Sequence, residues 1–397
     1  MLDTAYVKLP DLFFGFLRVG ATAFGGPAMI PHVRKLVLKH QWITEEDFRT
    51  GIAICQMIPG ATVMQLAAYV GMKTRGLLGA IVSFVGFGSP AFVMMLALSW
   101  LYFSNREVAW VVNLFSGLKI IVVAIVLHGA IDFIRRYTHS LPDLLIALFA
   151  AIAFSFHLSP PIVLVCAIAV GIIVFRKSAK GARHHTSGGV VRSRNARNFL
   201  GKILAPFVAT SGCAAIITCL LKFRPSLAVL AMTMAKIDII AFGGGFAALP
   251  VMLHVVVQKG WMDMETLLDG IALGQLTPGP IVITSVFVGF YRDGIWGAIV
   301  SAFGTFSPSF LILLWAMVLS DLWLHHWIAH AVFRASLATL SGLMTAMAAM
   351  LIVKTSWNLA GAVLALLAFM ALQASVDVMW VILSGSALWA LRIYLLG

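Results

Sequence analysis

Two short runs carry the polar chemistry of an otherwise apolar chain, and each occurs twice. Gln56-x-x-Pro59-Gly60 is matched by Gln275-x-x-Pro278-Gly279, and Phe24-Gly25-Gly26 by Phe242-Gly243-Gly244, with Gly245 following. Proline removes a backbone donor and disrupts the turn before it, and glycine then permits almost any backbone angle. A half-helix that begins after such a break presents free N–H groups and a partial positive charge, which suits an anion. The glutamine adds a neutral amide able to donate to an anion's oxygens. The competing reading is a packed kink in which each glutamine bonds to a neighbouring carbonyl, and small-residue helix packing for the Gly-Gly pairs. Six residues before each Phe-Gly-Gly stands a cation, Arg18 in one copy and Lys236 in the other. Such a residue at a membrane-helix centre costs about 2.5–3.5 kcal/mol on insertion scales, which marks it as a functional candidate. Two cations beside half-helix N-termini suit a small divalent anion, and snorkelling to an interface is the alternative. Asp238, close behind Lys236, could neutralise it. Lys119 and Arg334 are further cations in apolar runs with no matched partner, and Asp132 could pair with Arg135 one helix turn on.

These runs belong to a longer duplication, Ala23 to Phe92 and Ala241 to Phe310. Trp42 matches Trp261, Glu46 matches Glu265, Val70-Gly71 matches Val288-Gly289, and Ser89-Pro90 matches Ser307-Pro308. Roughly a third of the positions agree across only two gaps, an internal repeat. The matches are mostly Gly, Pro, Gln and Trp, so a particular backbone path is repeated. Between the two breaks of each copy lies a capping signal, Thr44 with Asp47 in the first and Asp263 in the second, behind a Trp expected at the membrane interface. The acids there read as helix caps. Ser-Pro in each copy reads as a kink in a long, glycine-packed helix.

The 397 residues are 61% hydrophobic and 11% charged, with a mean hydropathy of +0.99. A soluble domain carries about 25% charged residues, so this is a polytopic membrane protein. About 12–13 apolar segments are expected, near 11–30, 50–71, 76–103, 108–134, 141–156, 160–175, 203–221, 228–250, 267–289, 294–319, 330–353, 358–373 and 377–396. The fold class is all-α, with two inverted-topology repeats and broken helices. Residues 1–175 form the first repeat, 176–202 a linker, and 203–397 an extra helix plus the second repeat. The linker holds eight Lys or Arg and no acid within a net charge of +13. That fits a cytoplasmic loop under the positive-inside rule better than a nucleic-acid contact, so no nucleic-acid partner is expected. With it inside, the turns at Lys73–Arg75 and Arg135-Arg136 also fall inside, and segment 203–221 inverts the second copy. Met1 to Pro10 lacks the pattern of a removable signal peptide. Cys55, Cys166, Cys213 and Cys219 sit in apolar segments without metal spacing, so neither a metal nor another cofactor is expected. No Walker A run and no nucleophile–base pair are present, which argues against an ATP-driven pump and against an enzyme.

Phe24-Gly25-Gly26-Pro27 with Ile30-Pro31, Gln56-x-x-Pro59-Gly60, Phe242-Gly243-Gly244-Gly245 with Leu249-Pro250, and Gln275-x-x-Pro278-Gly279-Pro280 together resemble the duplicated signature of the chromate ion transporter (CHR) family. The resemblance covers nearly the whole chain and is closer to the long, two-domain members than to the short ones that work in pairs. It implies export of chromate across a bacterial inner membrane, with sulfate as a similar tetrahedral dianion. The substrate site it implies falls on Gly25, Gly26, Gln56, Pro59, Gly60 and their partners Gly243, Gly244, Gly245, Gln275, Pro278 and Gly279; Arg18 and Lys236 join by position. The lipid bilayer is the other partner, and a homodimer is a candidate assembly. Transport of sulfate or another anion, and an anion channel, stay open as alternatives.

Overall fold

The computed structural model describes residues 7–22, 29–105, 107–156, 158–176, 199–323 and 326–396, and among these residues every regular element is helical. The first copy is α1 (Leu9–Thr22), α2 (Ile30–Lys39), α3 (Glu45–Met57), α4 (Thr62–Asn105), α5 (Ala109–Tyr137), α6 (Leu141–Ser155) and α7 (Pro160–Phe175). After α8 (Phe199–Phe223), the second copy repeats them as α9 (Pro225–Ile240), α10 (Ala248–Gln258), α11 (Met264–Leu276), α12 (Thr284–Trp323), α13 (Trp327–Lys354), α14 (Leu359–Gln373) and α15 (Val378–Leu396). The openings of α5, α6 and α7 recur at one constant separation in α13, α14 and α15, so the duplication continues beyond Phe92 and Phe310. Residues 177–198 of the basic linker, and Gly25 and Gly26, lie outside the described residues.

The four apolar runs 11–30, 50–71, 228–250 and 267–289 are each two helices, not one. The capping signals start α3 and α11 as their chemistry requires: the Thr44 hydroxyl accepts from the Asp47 N–H at 3.1 Å, and the Asp263 carboxylate from the Thr266 N–H at 2.8 Å. Each of α3 and α11 then ends at its Pro-Gly. Gly60 and Gly279 take φ of +111° and +102°, a region open to glycine and costly for other residues.

Beyond the break the chain folds back. Lys73, late in the first part of α4, pairs with Asp47 at the start of α3 at 2.9 Å, so α3 and residues 62–74 form a hairpin with Pro59-Gly60 at its tip. The second copy closes its hairpin differently. The Arg292 guanidinium lies over the Trp261 ring at 4.3 Å, beside the start of α11. Both long helices then bend sharply. Gly76 (φ +62°, ψ −151°) interrupts α4 and Gly294 (φ +57°, ψ −141°) interrupts α12. The two arms reverse so tightly that a Cβ on Gly71 would lie 2.1 Å from the Gly79 carbonyl oxygen, and one on Gly289 would lie 2.2 Å from that of Gly297.

The copies interlock. α1 packs on α4 and α9 on α12, while α4 and α12 meet in the middle. α5 of the first copy is covered by α14 and α15 of the second, and α13 of the second by α6 and α7 of the first. Arg334 of α13 fastens one such exchange. It donates to the fully buried Asp143 of α6 at 2.7 and 2.8 Å, and stacks on Phe175 of α7 at 4.3 Å. Six helices among the described residues are long and apolar enough to cross a membrane. Large apolar side chains such as Leu78, Val93, Leu148, Ile173 and Leu366 stand exposed, as on a surface facing lipid.

Candidate functional site

Breaking four helices gives the molecule four helix starts that need not sit at its surface, and the fold gathers all four around one cavity. Its volume is about 410 Å³. Met29 leads into α2, Ala61, Thr62 and Val63 open α4, Gly243–Gly245 lead into α10, and Pro280 and Ile281 lead into α12. The first turn of a helix leaves backbone N–H groups without intrahelical partners, and the helix dipole adds partial positive charge at the same end. Four such ends converging on one space make it favourable for an anion.

One wall comes from α5, with His128, Gly129, Asp132, Phe133, Arg136 and Tyr137. Arg136 Nε donates to Asp132 Oδ1 at 2.8 Å across one helical turn. Arg135, expected as that partner, instead reaches Gln373 Oε1 at 3.4 Å. His128 Nδ1 is buried without a hydrogen-bond partner among the described residues. The cavity thus holds a guanidinium paired to a carboxylate of its own helix and a ring nitrogen unsatisfied among the described residues.

The tips of the two copies are welded together beside this space. The Gly60 N–H donates to the Ala241 carbonyl at 2.8 Å, joining the second break of the first copy to the first break of the second. The Ala61 N–H donates to the Ser309 hydroxyl at 3.1 Å. Gln65 Nε2 donates to the Pro59 carbonyl at 2.7 Å and to the Ser309 carbonyl at 3.2 Å. Gly245 approaches the Ile281 backbone so closely that a Cβ there would lie 3.2 Å from its nitrogen.

The residues expected at a substrate site divide. Gly243, Gly244 and Gly245 line the cavity, and Gly60 sits in the weld beside it. Pro278 and Gly279 are buried just before Pro280, with Gly279 against Ala91. Pro59 faces a different, apolar groove with Phe242 and Trp315. Gln56 is exposed, and Gln275 is buried with its Nε2 unpaired among the described residues; neither lines the cavity. Arg18 and Lys236 are both exposed on the outside of the bundle. Asp238 is therefore not neutralised by Lys236. It is fully buried and accepts from Ser309. Lys119 is also partnered, reaching Glu265 at 3.2 Å and Asp269 at 3.7 Å. At the interface, burial tends to raise the Asp47 carboxyl, and its hydrogen bonds to Lys73 and Thr44 outweigh this and hold it below the ordinary carboxylate range.

Comparison with known proteins adds the decisive observation. The model of the family described as "Chromate transporter" matches residues 10–172 and again 228–390. The chain belongs to the chromate transporter family. An uncharacterized transporter of Methanocaldococcus jannaschii is 34% identical over 94% of this chain and 92% of its own. A chromate transport protein of Cupriavidus metallidurans is 30% identical over 76% of this chain and 72% of its own. A shorter uncharacterized transporter of Bacillus subtilis is 27% identical over 44% of this chain and 92% of its own. No solved structure matches. This chromate transporter family member is a multi-pass, all-helical membrane protein, and the two matched stretches hold the two sets of broken helices around the cavity.

His128, Asp132 and Arg136 were not singled out as a binding wall by sequence. Arg136 sits beside Arg135 in a turn that topology alone explains, and its face of α5 becomes visible only when the second copy's Gly-Gly break is placed against it.

Proposed function

We propose that this protein is a secondary transporter that exports chromate, holding the dianion in the cavity where the four helix breaks meet. The observation that carries the reading is the convergence of four helix starts on a space that Arg136 also lines. Backbone N–H groups solvate a tetrahedral dianion without a fixed positive charge for each of its own, so release stays cheap. Arg136 supplies the mobile charge by leaving Asp132 for the substrate.

The two copies sit in the membrane with inverted topology. The Lys73–Asp47 closure belongs to the side carrying Arg34, Lys35, Lys39, Arg49 and Arg135, the cytoplasmic side under the positive-inside rule. The second hairpin, closed by Trp261 and Arg292, opens to the other side, where Lys119 of α5 meets Glu265. Rocking one copy against the other about the welded tips exposes the cavity alternately.

The test is flux of labelled chromate into liposomes holding the purified protein, with sulfate as competitor and with or without an imposed pH gradient. Saturable, competed uptake that falls at least tenfold in Arg136→Gln, with the variant still folded, is expected. Non-saturating flux would replace the transporter by a channel, and unchanged uptake in Arg136→Gln would remove the cavity from the reading.

A further inference from the structure

Asp238 is a carboxylic side chain with no exposed surface, and it lies at the weld between the two copies. Its Oδ2 accepts from the Ser309 N–H at 3.0 Å and from the Ser309 hydroxyl at 2.6 Å. Its Oδ1 is buried with no hydrogen-bond partner among the described residues. α9 packs against α12, α8 and α10. Ionisable side chains on those helices include Arg292 and Asp293 near the α12 kink, Cys213, Cys219 and Lys222 on α8, and His254 on α10. The hydrogen bonds to this carboxyl come from the N–H and hydroxyl of Ser309. Pro59, Gly60 and Ala61 at the adjoining tip bring no charge, and Lys236 on α9 itself is exposed.

An ionised carboxylate in such a place would be a buried charge with no cation and one bare oxygen, which protein interiors strongly disfavour. The pseudo-symmetric junction shows that the fold does not need it. The positions matching Asp238 and Ser309 are Gly20 and Ala91. Gly20 lies so close to α4 that a Cβ would sit 2.1 Å from the Phe87 carbonyl oxygen, and Ala91 simply abuts Gly279. One copy makes the contact with apolar atoms, and the other makes it with an acid and a hydroxyl.

We propose that Asp238 is a proton-binding site that couples proton transfer to the opening of this junction. With the tips joined, the acid is neutral. The Ser309 hydroxyl points its proton to Oδ2 and uses its lone pairs to hold the Ala61 N–H at the start of α4. When the Pro59-Gly60 tip parts from α12, water reaches the carboxyl, the O–H bond breaks, and the proton leaves to that water as the carboxylate forms. Reclosure requires a proton to return. The proton is thus taken up in one arrangement and given up in the other, and the absence of an acid at Gly20 makes the device one-sided.

The first test needs no substrate. Infrared difference spectra of the purified full chain, wild type minus Asp238→Asn, should show a carboxylic-acid carbonyl band that persists to neutral pH. Ser309→Ala, which removes one hydrogen bond to the carboxylate, should shift its midpoint to higher pH. A band confined to the pH range of an ordinary carboxyl would overturn the proposal. The second test rests on the transport reading above. In liposomes, Asp238→Asn should keep chromate counterflow and lose at least tenfold of the pH-gradient-driven rate. A variant that responds to the gradient as the wild type does would remove the coupling role. Wild-type protein without chromate flux would defeat the transport reading while the infrared result still decides the proton site.

Discussion

Gly60 and Gly279 form a matched pair whose surroundings differ, and alanine at each should separate steric cost from backbone cost. Both glycines hold φ near the same value, +111° and +102°, so an alanine at either pays a similar strain of about 1–3 kcal/mol. At Gly279 the added methyl meets only the Ala91 Cβ, 2.9 Å away, an overlap that small shifts relieve for about 1 kcal/mol. At Gly60 the methyl lies 1.8 Å from Ser309 Oγ and 2.8 Å from its Cβ. Ser309 must then swing away, losing its bonds to the Ala61 N–H and to Asp238. That adds about 1 kcal/mol for the bond lost to Asp238 Oδ2, which keeps the Ser309 N–H, and about 1–3 kcal/mol for the Ala61 N–H left unsatisfied. Gly60→Ala should therefore be less stable than Gly279→Ala by about 2–4 kcal/mol on those figures. Equilibrium unfolding in mixed micelles, read by tryptophan fluorescence, measures the difference. In a Ser309→Ala background the gap should shrink, because the first obstacle is gone. Equal destabilisation of the two single variants would refute the weld as the structure draws it.

Three further outcomes can be checked on the same preparation. Arg334→Gln leaves Asp143, 1% exposed, without its guanidinium and should cost about 2–5 kcal/mol of unfolding free energy, with Asp143→Asn in the same chain recovering part of it. Lys119→Met removes the cation 3.7 Å from buried Asp269, which keeps its bond from the Tyr102 hydroxyl, and should destabilise by about 1–3 kcal/mol, and a double-mutant cycle with Asp269→Asn should report a coupling energy between them. Because Asp47 titrates below its ordinary value in the folded chain, its bond to Lys73 contributes fully above the unfolded-state value and is lost as pH falls through the folded-state one. Unfolding followed from neutral to acid pH should show that loss, and Asp47→Asn should abolish this part of it.

The features legible in the sequence were those that the backbone dictates locally. Thr44 and Asp263 announce helix starts because a short polar side chain can satisfy only nearby N–H groups, and both do so. Pro59-Gly60 and Pro278-Gly279 announce breaks because no continuous helix tolerates them in a buried run. The placement of charge was less legible, because hydropathy says that a cation is near the membrane but not which way it points. Arg18 and Lys236 share a repeat position and are exposed, while Arg136, hidden in a basic turn, lines the cavity. The partners of Lys119, Arg334 and Asp238 lie 146, 191 and 71 residues away in the chain, beyond the reach of any local pattern. The turns at Gly76 and Gly294 were legible as the gaps between the runs 50–71 and 76–103 and between 267–289 and 294–319, but the contacts of Gly71 with Gly79 and of Gly289 with Gly297 were not, since glycine in an apolar run has several uses.

The exchange of helices between copies explains why symmetry and function can be argued separately. α5 is buried under α14 and α15, and α13 under α6 and α7, so neither copy completes its core without the other. That mutual dependence holds the four helix starts around one cavity, and the matched glycines among the described residues allow the close approaches there. In the inverted arrangement proposed above, a cavity built only from matched residues would present the same surface to both sides of a membrane and would favour neither direction. The unmatched residues remove that equivalence. Arg136, Asp132 and His128 on α5 have Lys354, Met350 and Ala346 at the corresponding turns of α13, and Asp238 with Ser309 has Gly20 with Ala91. On this reasoning, exchanging an unmatched pair between the copies should alter coupling or direction while leaving the fold intact. Disturbing a matched Gly or Pro should damage the fold first.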